Sequence, residues 1–239
     1  MGECRKPLGT KAYGSIPHLP GSRRGPADQG ISEGQARIAL EQVRDKHDKV
    51  WVQEKLDGSC VAAALINGEV VPLTRAGYHA RSSPHVQHHY WADWVAENED
   101  RFRKVLREGT RLVGEWLAQA HGTRYRLGPN EEPFIAFDLM GGTERLPLAD
   151  FYESIDSHFQ VPALLSGEPT SVETAMRLVD LWSKIAADDP IEGAVWRVER
   201  KGEVDFLCKF VRHDKVDGKY LPEISGGEPV WNWKPKEAR

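Results

Sequence analysis

Two short turns constrain this chain most. Asn67-Gly68 separates the apolar-rich runs 61–65 and 69–73, and Lys201-Gly202 separates 194–198 from 204–211. An Asn-Gly pair readily takes the positive φ values of a type I′ turn, so the first is a strong β-hairpin signal. The second marks a closing hairpin by the same pattern of strand, tight turn and strand. Residues 50–55 form a further strand-like run that stops at Asp57-Gly58, and 111–116 and 134–139 read as two more.

Helical spacing appears between these strands. Ser32 reads as an N-cap, followed by Ala36, Ala39, Leu40 and Val43 as far as about residue 46. Residues 84–108 are expected to form one long helix with Val86, Tyr90, Trp94, Phe102 and Val105 on its apolar face. Thr170 with Glu173 makes a capping box for a third helix, which would carry Ala175, Val179, Trp182 and Ala186 inward. The resulting class is α+β, with antiparallel β-sheets flanked by helices. The expected organisation is one domain over 32–223, a Pro/Gly-rich segment 1–31 packed on it, and a tail over 224–239.

A chain of 239 residues buries a substantial core without disulfides or a structural metal. The cysteines, Cys4, Cys60 and Cys208, are odd in number and unpaired in spacing, which points to a reducing cytoplasm. No apolar run approaches the length of a membrane span, and the Arg5, Lys6 and Lys11 region lacks the apolar core of a secretory signal. The formal net charge is −4, with acidic groups at 97–100, 131–132 and 188–189 and basic ones at 23–24, 101–107, 124–126 and 197–219. That segregation is compatible with a basic groove and equally with a solvated mixed-charge surface.

The chemistry concentrates at Glu54-Lys55-Leu56-Asp57-Gly58-Ser59. A lysine at the end of an apolar strand is partly desolvated, which disfavours its ammonium form and frees a nucleophilic amine. Asp57 would fix the turn or the lysine rotamer, and Gly58 would let a phosphate approach the backbone. Further along, Arg75, Glu115, Phe137, Glu192 and Lys209 each stand in or beside an apolar run, where an unpaired charge is costly.

Lys55-Leu56-Asp57-Gly58 resembles the nucleotide-attaching motif of the superfamily of DNA ligases, RNA ligases and mRNA-capping enzymes. Thr74-Arg75-Ala76-Gly77, Gly114-Glu115-Trp116, the run from Phe134 through Phe137 to Leu139, the run from Ile191 through Glu192 to Arg197, and the run from Leu207 through Lys209 to Arg212 resemble its later motifs in the same order. The resemblance implies a nucleotidyltransferase domain of the ATP-grasp-like ligase adenylation type. It implies that Lys55 takes AMP from ATP with Mg²⁺ or Mn²⁺, that Glu115 meets the ribose and that Phe137 stacks on adenine. It also implies that Glu54 accepts from the adenine amino group, that Lys209 binds the α-phosphate and that Gly58 lies against the nucleotide. Glu192 would orient metal or lysine, with Glu115 as a second metal ligand, and Arg75 and Arg212 would contact nucleic acid. One departure is evident: the last motif usually carries a second lysine two residues after the first, where Val211 stands here, leaving Arg212 or Lys215 to supply that charge.

About 27 residues follow Arg212. That is too few for the C-terminal β-barrel (OB) domain of DNA ligases and capping enzymes, so none is expected and the RNA-ligase branch is favoured. Ile16-Pro17-His18-Leu19-Pro20-Gly21-Ser22-Arg23 resembles the segment before the lysine motif in bacterial and phage RNA ligases of the RNA-ligase-2-like branch. It serves either as a contact to RNA or as a rigid wrapping loop. His85, His88 and His89 share one expected helix without a completing ligand, and read as surface or RNA-facing groups rather than a zinc site. The implied substrate is RNA with 5′-phosphate and 3′-OH ends, and an end-healing kinase or phosphatase or an accessory-domain protein is an expected partner. A DNA ligase, a capping-type guanylyltransferase and a non-catalytic nucleic-acid-binding module stay open as alternatives.

Overall fold

A computed structural model of the protein describes residues 6–235; Cys4 and Arg5 lie outside the described residues. Among the described residues nine strands form two antiparallel sheets. They are β1 (Asp48–Lys55), β2 (Ser59–Ile66), β3 (Glu69–Thr74), β4 (Thr110–Trp116), β5 (Phe134–Gly141), β6 (Glu144–Arg145), β7 (Leu164–Ser166), β8 (Gly193–Arg200) and β9 (Glu203–Val211). One sheet has the order β7-β1-β8-β9 and the other β3-β2-β4-β5-β6. Both expected hairpins form, with Asn67 and Gly68 at φ 51° and 78° and Lys201 and Gly202 at φ 53° and 84°. These are the left-handed values a two-residue I′ loop demands.

Six helices cover the sheets: α1 (Glu33–Leu40), α2 (Val86–Glu97), α3 (Glu99–Val105), α4 (Leu148–Ile155), α5 (Val172–Trp182) and the short α6 (Pro222–Ser225). Ser32 caps α1 through a full capping box with Gln35. In the first sheet Val50, Val52, Ala194, Trp196 and Val198 pack against Ala39, Ala175 and Val179 of α1 and α5. In the second, β2 alternates strictly. Val61 and Ala63 join the aromatic core under α2 and α3, while Ala62 and Ala64 face Ala12 and Tyr13 of the N-terminal segment. Both faces of that sheet are therefore covered, which accounts for four consecutive fully buried small residues.

Several helix expectations are corrected, the first being that α1 ends at Leu40 rather than near residue 46. The long helix over 84–108 is two helices, because Asn98 leaves helical geometry (φ −114°, ψ 17°) and its side chain caps the carbonyl of Trp94. The inward face of α2 is set by Trp91, Trp94 and Val95, with Val86 exposed. The cap of α5 is Ser171, which accepts from Thr174, whereas Thr170 is buried and bonds to Ser166 and Glu168. That helix ends at Trp182, so Trp182 points to solvent and Ala186 lies beyond it in an exposed loop.

The charged runs pair with one another rather than segregating. Arg101 meets Glu132, Arg103 meets Glu99, Arg124 and Arg126 meet Asp188, Lys219 meets Asp189, and Arg23 meets Asp217. The tail is anchored as well. Asn232 and Trp233 donate backbone bonds to Ala118, and Trp233 sits edge-on to Trp116 with ring centroids 5.4 Å apart. Among the described residues no helix is long and apolar enough to cross a membrane.

Candidate active site

A cavity of about 730 Å³ is lined by residues of both sheets and of the N-terminal segment. Lys55 enters it from the last position of β1, and the turn that follows carries Gly58 to the start of β2. Glu115 reaches it from β4, Phe137 from β5 and Lys209 from β9; Arg75 sits on the turn after β3. The strand register explains this convergence. Gly193, beside Glu192, pairs with Lys55, and Val195 pairs with Lys209, so three motifs distant in sequence meet across β1, β8 and β9.

Lys55 is held as a cation. Its Nζ donates to Glu192 Oε2 at 2.5 Å, and Glu115 lies close enough to act on its charge. Burial disfavours the ammonium, as the sequence reading expects, but the two carboxylates outweigh burial and push the lysine above its ordinary range. This corrects the expectation of a free amine: the fold supplies the desolvation and also a proton acceptor in contact with the nitrogen. Burial, with repulsion from Asp57, raises Glu192 against the pull of Lys55, and burial, with repulsion from Glu192, lifts Glu115 to about 7. Lys209 moves the other way, lowered by burial and by Lys55.

Glu115 also accepts from the backbone N–H of Gly58 at 3.0 Å. A Cβ on Gly58 would lie 2.5 Å from the Trp116 carbonyl oxygen, so the glycine is required by packing of the turn on β4. That revises the expectation that Gly58 serves only phosphate approach.

A raised carboxyl pKa makes a signed prediction. Between its ordinary value and about 7 the native state binds more protons at Glu115 than the unfolded chain, so this group's stabilisation is complete at acid pH and is lost as pH rises through 7. Glu115→Gln keeps an acceptor for Gly58 and carries no charge. We expect its Tm to exceed that of the parent at pH 8 and to converge with it near pH 4.5. A parent that gains on the variant with rising pH would show the sign to be wrong.

Other expected residues are placed as follows. Phe137 is half-buried and stands edge-on to Tyr13, with centroids 5.2 Å apart. Glu54 lines the cavity next to Lys55; its Oε1 accepts from Ala163 N–H, its buried Oε2 is in hydrogen-bond geometry with no partner among the described residues, and Ser183 and Lys184 lie near enough to stabilise its charge. Arg75 is held by neutral acceptors, the Gly14 carbonyl and Ser15 Oγ. Arg212 is not brought to the cavity. It pairs with Asp180 on α5 at 2.5 Å, because strand alternation turns it to the face opposite Lys209. Lys215, the other candidate for the missing cation, is buried against Asp57.

The N-terminal motif wraps. His18 is buried, bonds Ser22 Oγ at 2.7 Å, and its segment runs beside β9 with Leu19 N–H donating to the Lys209 carbonyl. Burial, with Lys209 nearby, lowers the His18 pKa. Arg23 pairs with Asp217. Tyr13, Gly14 and Ile16 line the cavity, and sequence reasoning missed them because a Pro/Gly-rich stretch carries no periodicity. On α2, His88 reaches the cavity rim and bonds Ser83 at 2.7 Å, with its pKa lowered by burial to about 4. His89 bonds the Ser83 carbonyl.

An antiparallel α+β domain with a lysine beside two carboxylates at a cavity has the architecture expected of a ligase nucleotidyltransferase domain. The chain belongs to the RNA ligase family, whose profile matches residues 48–211. Among solved structures, an archaeal ATP-dependent RNA ligase is 20% identical, with a TM-score of 0.50, and the match covers 81% of this chain and 48% of that one. A putative ATP-dependent DNA ligase from Aquifex aeolicus is 16% identical (TM-score 0.48; 83% and 49% covered). An RNA ligase variant from Naegleria gruberi with ATP and Mn is 15% identical (TM-score 0.46; 70% and 51% covered). The chain thus spans about half the length of these solved structures. No curated protein matches it.

Proposed function

We propose that this chain carries out ATP-dependent RNA ligation through a lysyl-AMP intermediate on Lys55, joining 5′-phosphate and 3′-OH ends. The observation that carries the reading is the Lys55–Glu192 contact of 2.5 Å at the cavity, with Glu115 beside it. Such a pair keeps a nucleophile and its proton acceptor in one place before substrate arrives.

In this reading Lys55 Nζ gives a proton to Glu192 and its lone pair bonds the α-phosphorus of ATP. The bond from that phosphorus to the bridging oxygen breaks, and pyrophosphate leaves, taking up the second proton of the former ammonium. Lys209 neutralises charge on the α-phosphate, Phe137 and the half-buried wall around it hold the base, and the unpaired Glu54 Oε2 suits an amino group of adenine. AMP then passes to an RNA 5′-phosphate, and a 3′-OH displaces it; Arg75, on the cavity rim and held by neutral acceptors among the described residues, is the proposed contact to that strand.

Glu115 and Glu192 are hard oxygen donors, and among the described residues no group of three or more His, Cys, Asp or Glu is arranged to hold a metal. Two carboxylates with phosphate oxygens and water match the way Mg²⁺ is bound in nucleotide sites, and Mn²⁺ suits the same donors. The ion supplies neutralisation of phosphate charge and draws the lysine pKa down. The similar archaeal structure is described as an ATP-dependent RNA ligase and the Naegleria one holds ATP and Mn, which supports the same cofactors here.

We further propose residues 32–223 as the adenylation domain, with the described part of 1–31 packed on it and 224–239 as a C-terminal tail, a cytoplasmic location, and an end-healing kinase or phosphatase as partner, since ligation requires a 5′-phosphate and a 3′-OH. Incubation with ATP labelled at the α-phosphate and Mg²⁺ should give an acid-labile protein–AMP adduct that seals nicked duplexes bearing an RNA 3′-OH. Absence of the adduct sinks the proposal. Labelling by GTP instead would assign a capping-type activity, and sealing confined to a DNA 3′-OH a DNA ligase.

A further inference from the structure

Lys209 stands on β9, the outer strand of its sheet, and the side of that strand away from β8 is filled by residues 17–23. Lys209 N–H donates to the Pro17 carbonyl at 3.0 Å, and Leu19 N–H donates to the Lys209 carbonyl at 2.8 Å. Arg23 N–H donates to the Val211 carbonyl at 3.1 Å. One bond of this ladder is not made by backbone alone: Val211 N–H donates to Ser22 Oγ at 2.9 Å. A strand at a sheet edge leaves such groups open, and a buried one must find a partner. Val211 is only 5% exposed, so the serine supplies what no other strand does.

The Ser22 hydroxyl is itself held. His18 Nδ1 lies 2.7 Å from Ser22 Oγ, and His18 Nε2 lies 3.3 Å from Asp28 Oδ2, which also accepts from Gly25 N–H at 2.8 Å. Burial favours the neutral imidazole. With its proton on Nε2, toward the carboxylate, Nδ1 is the acceptor and the serine proton points to it. The serine lone pairs are then turned to Val211. The ring is fixed in turn, because His18 N–H donates to the Gln29 carbonyl and Ile31 N–H donates to the His18 carbonyl. His18 and Ser22 are both buried, which fits a wrapping role rather than contact with RNA.

We propose that Ser22, locked by His18, is a positioning residue for Lys209: it holds β9 so that the Lys209 side chain stays aimed into the cavity at the α-phosphate. This rests on the reading of Lys209 as the α-phosphate contact. Placement matters because β9 and the chain after it offer no replacement. Val211 is apolar, Arg212 is turned to Asp180, and Lys215 is buried against Asp57. A cation that answers charge building in the transition state loses its effect with small displacements, whereas ground-state ATP is held by its base as well. The loss therefore falls on the rate at saturating ATP rather than on KM.

Self-adenylylation followed as a single turnover over a range of ATP concentrations tests this. Ser22→Ala should lower the rate at saturating ATP about tenfold and leave KM within roughly threefold of the parent. His18→Gln, which places no acceptor at the Nδ1 position, should do the same, while His18→Asn, which does, should stay within roughly threefold of the parent rate. A residue that acts through Lys209 has nothing left to act on when that lysine is gone. In a Lys209→Met background Ser22→Ala should therefore cost no more than about twofold further. A full tenfold loss in that background overturns the proposal, as does a change confined to KM or an equal loss in His18→Asn and His18→Gln. If Ser22→Ala does not fold, the cycle is run with His18→Gln by the same criteria. Amide hydrogen exchange without nucleotide separates this inference from the ligase reading: Ser22→Ala should speed exchange at Lys209 and Val211 and leave β1 unchanged. A parent that forms no AMP adduct, with that change at β9 in the variant, would remove the ligase reading and leave the hold of Ser22 on β9 standing. A parent that forms the adduct, with unchanged exchange at β9 in the variant, would overturn the hold alone.

Discussion

Lys55→Met should reduce protein–AMP formation by about four orders of magnitude or more, the scale expected when a covalent nucleophile is lost. Methionine retains the length and apolar stem of lysine, so the cavity wall stays filled. The variant also leaves Glu192 and Glu115 buried side by side without their shared cation. Both carboxyls are already raised by burial, and removing the ammonium raises them further. The variant's native state then binds more protons than its unfolded chain through neutral pH, so its stability falls as pH rises. Thermal melts should show a small deficit against the parent near pH 4.5 and a growing one toward pH 8. An adduct that survives in Lys55→Met, mapped by mass spectrometry to another residue, would remove Lys55 from its proposed role. A stability deficit that shrinks with rising pH would contradict the arrangement of the carboxylates.

Asp138→Ala should be the most damaging substitution for stability. Asp138 on β5 and Arg197 on β8 join the two sheets, and their side chains are 1% and 2% exposed. Arg197 bonds Asp138 and the carbonyls of Phe137 and Leu146; Asp138 also accepts from Tyr13 Oη at 2.6 Å and contacts Arg145 at 3.3 Å. Removing the carboxylate leaves a guanidinium and a phenol buried without their partner, which costs about 3–5 kcal/mol. For a chain of this size that corresponds to a Tm drop of roughly 10–15 °C. Arg197→Met with Asp138→Leu removes both charges and should recover more than half of the loss, because most of it is the isolation of one charge rather than the worth of the pair. A denaturant double-mutant cycle decides this: additive single and double losses would mean that the two side chains do not act on each other.

The local elements were legible where a single signal decides them. Asn67-Gly68 and Lys201-Gly202 adopt the expected left-handed turns, and the strands beside them follow. The split at Asn98 was not legible, since the apolar spacing continues across it and only a side-chain bond to Trp94 breaks the helix. Trp182 was misplaced for a related reason. Helical spacing assigns it a face, but the helix stops there and the neighbouring sheet offers nothing to cover it. The basic runs left a groove and a mixed-charge surface equally open until the fold set acidic runs against them.

The order of short motifs from Lys55 to Lys209, by its resemblance to the ligase superfamily, was enough to place the chain with the RNA ligases, whose profile matches residues 48–211. The state of Lys55 was decided by tertiary structure alone. Strand adjacency predicts desolvation, which releases the proton, whereas the register of β1, β8 and β9 brings Glu192 into contact, which holds it. The same is true of Lys215 and Asn232. Lys215 stood only as a candidate cation for the last motif and nothing marks Asn232, and their proximity to the Lys55 turn exists only because the chain after β9 folds back over residues 117–125. Charge balance in a buried site depends on distances between segments far apart in the chain, and a linear pattern carries no such distances.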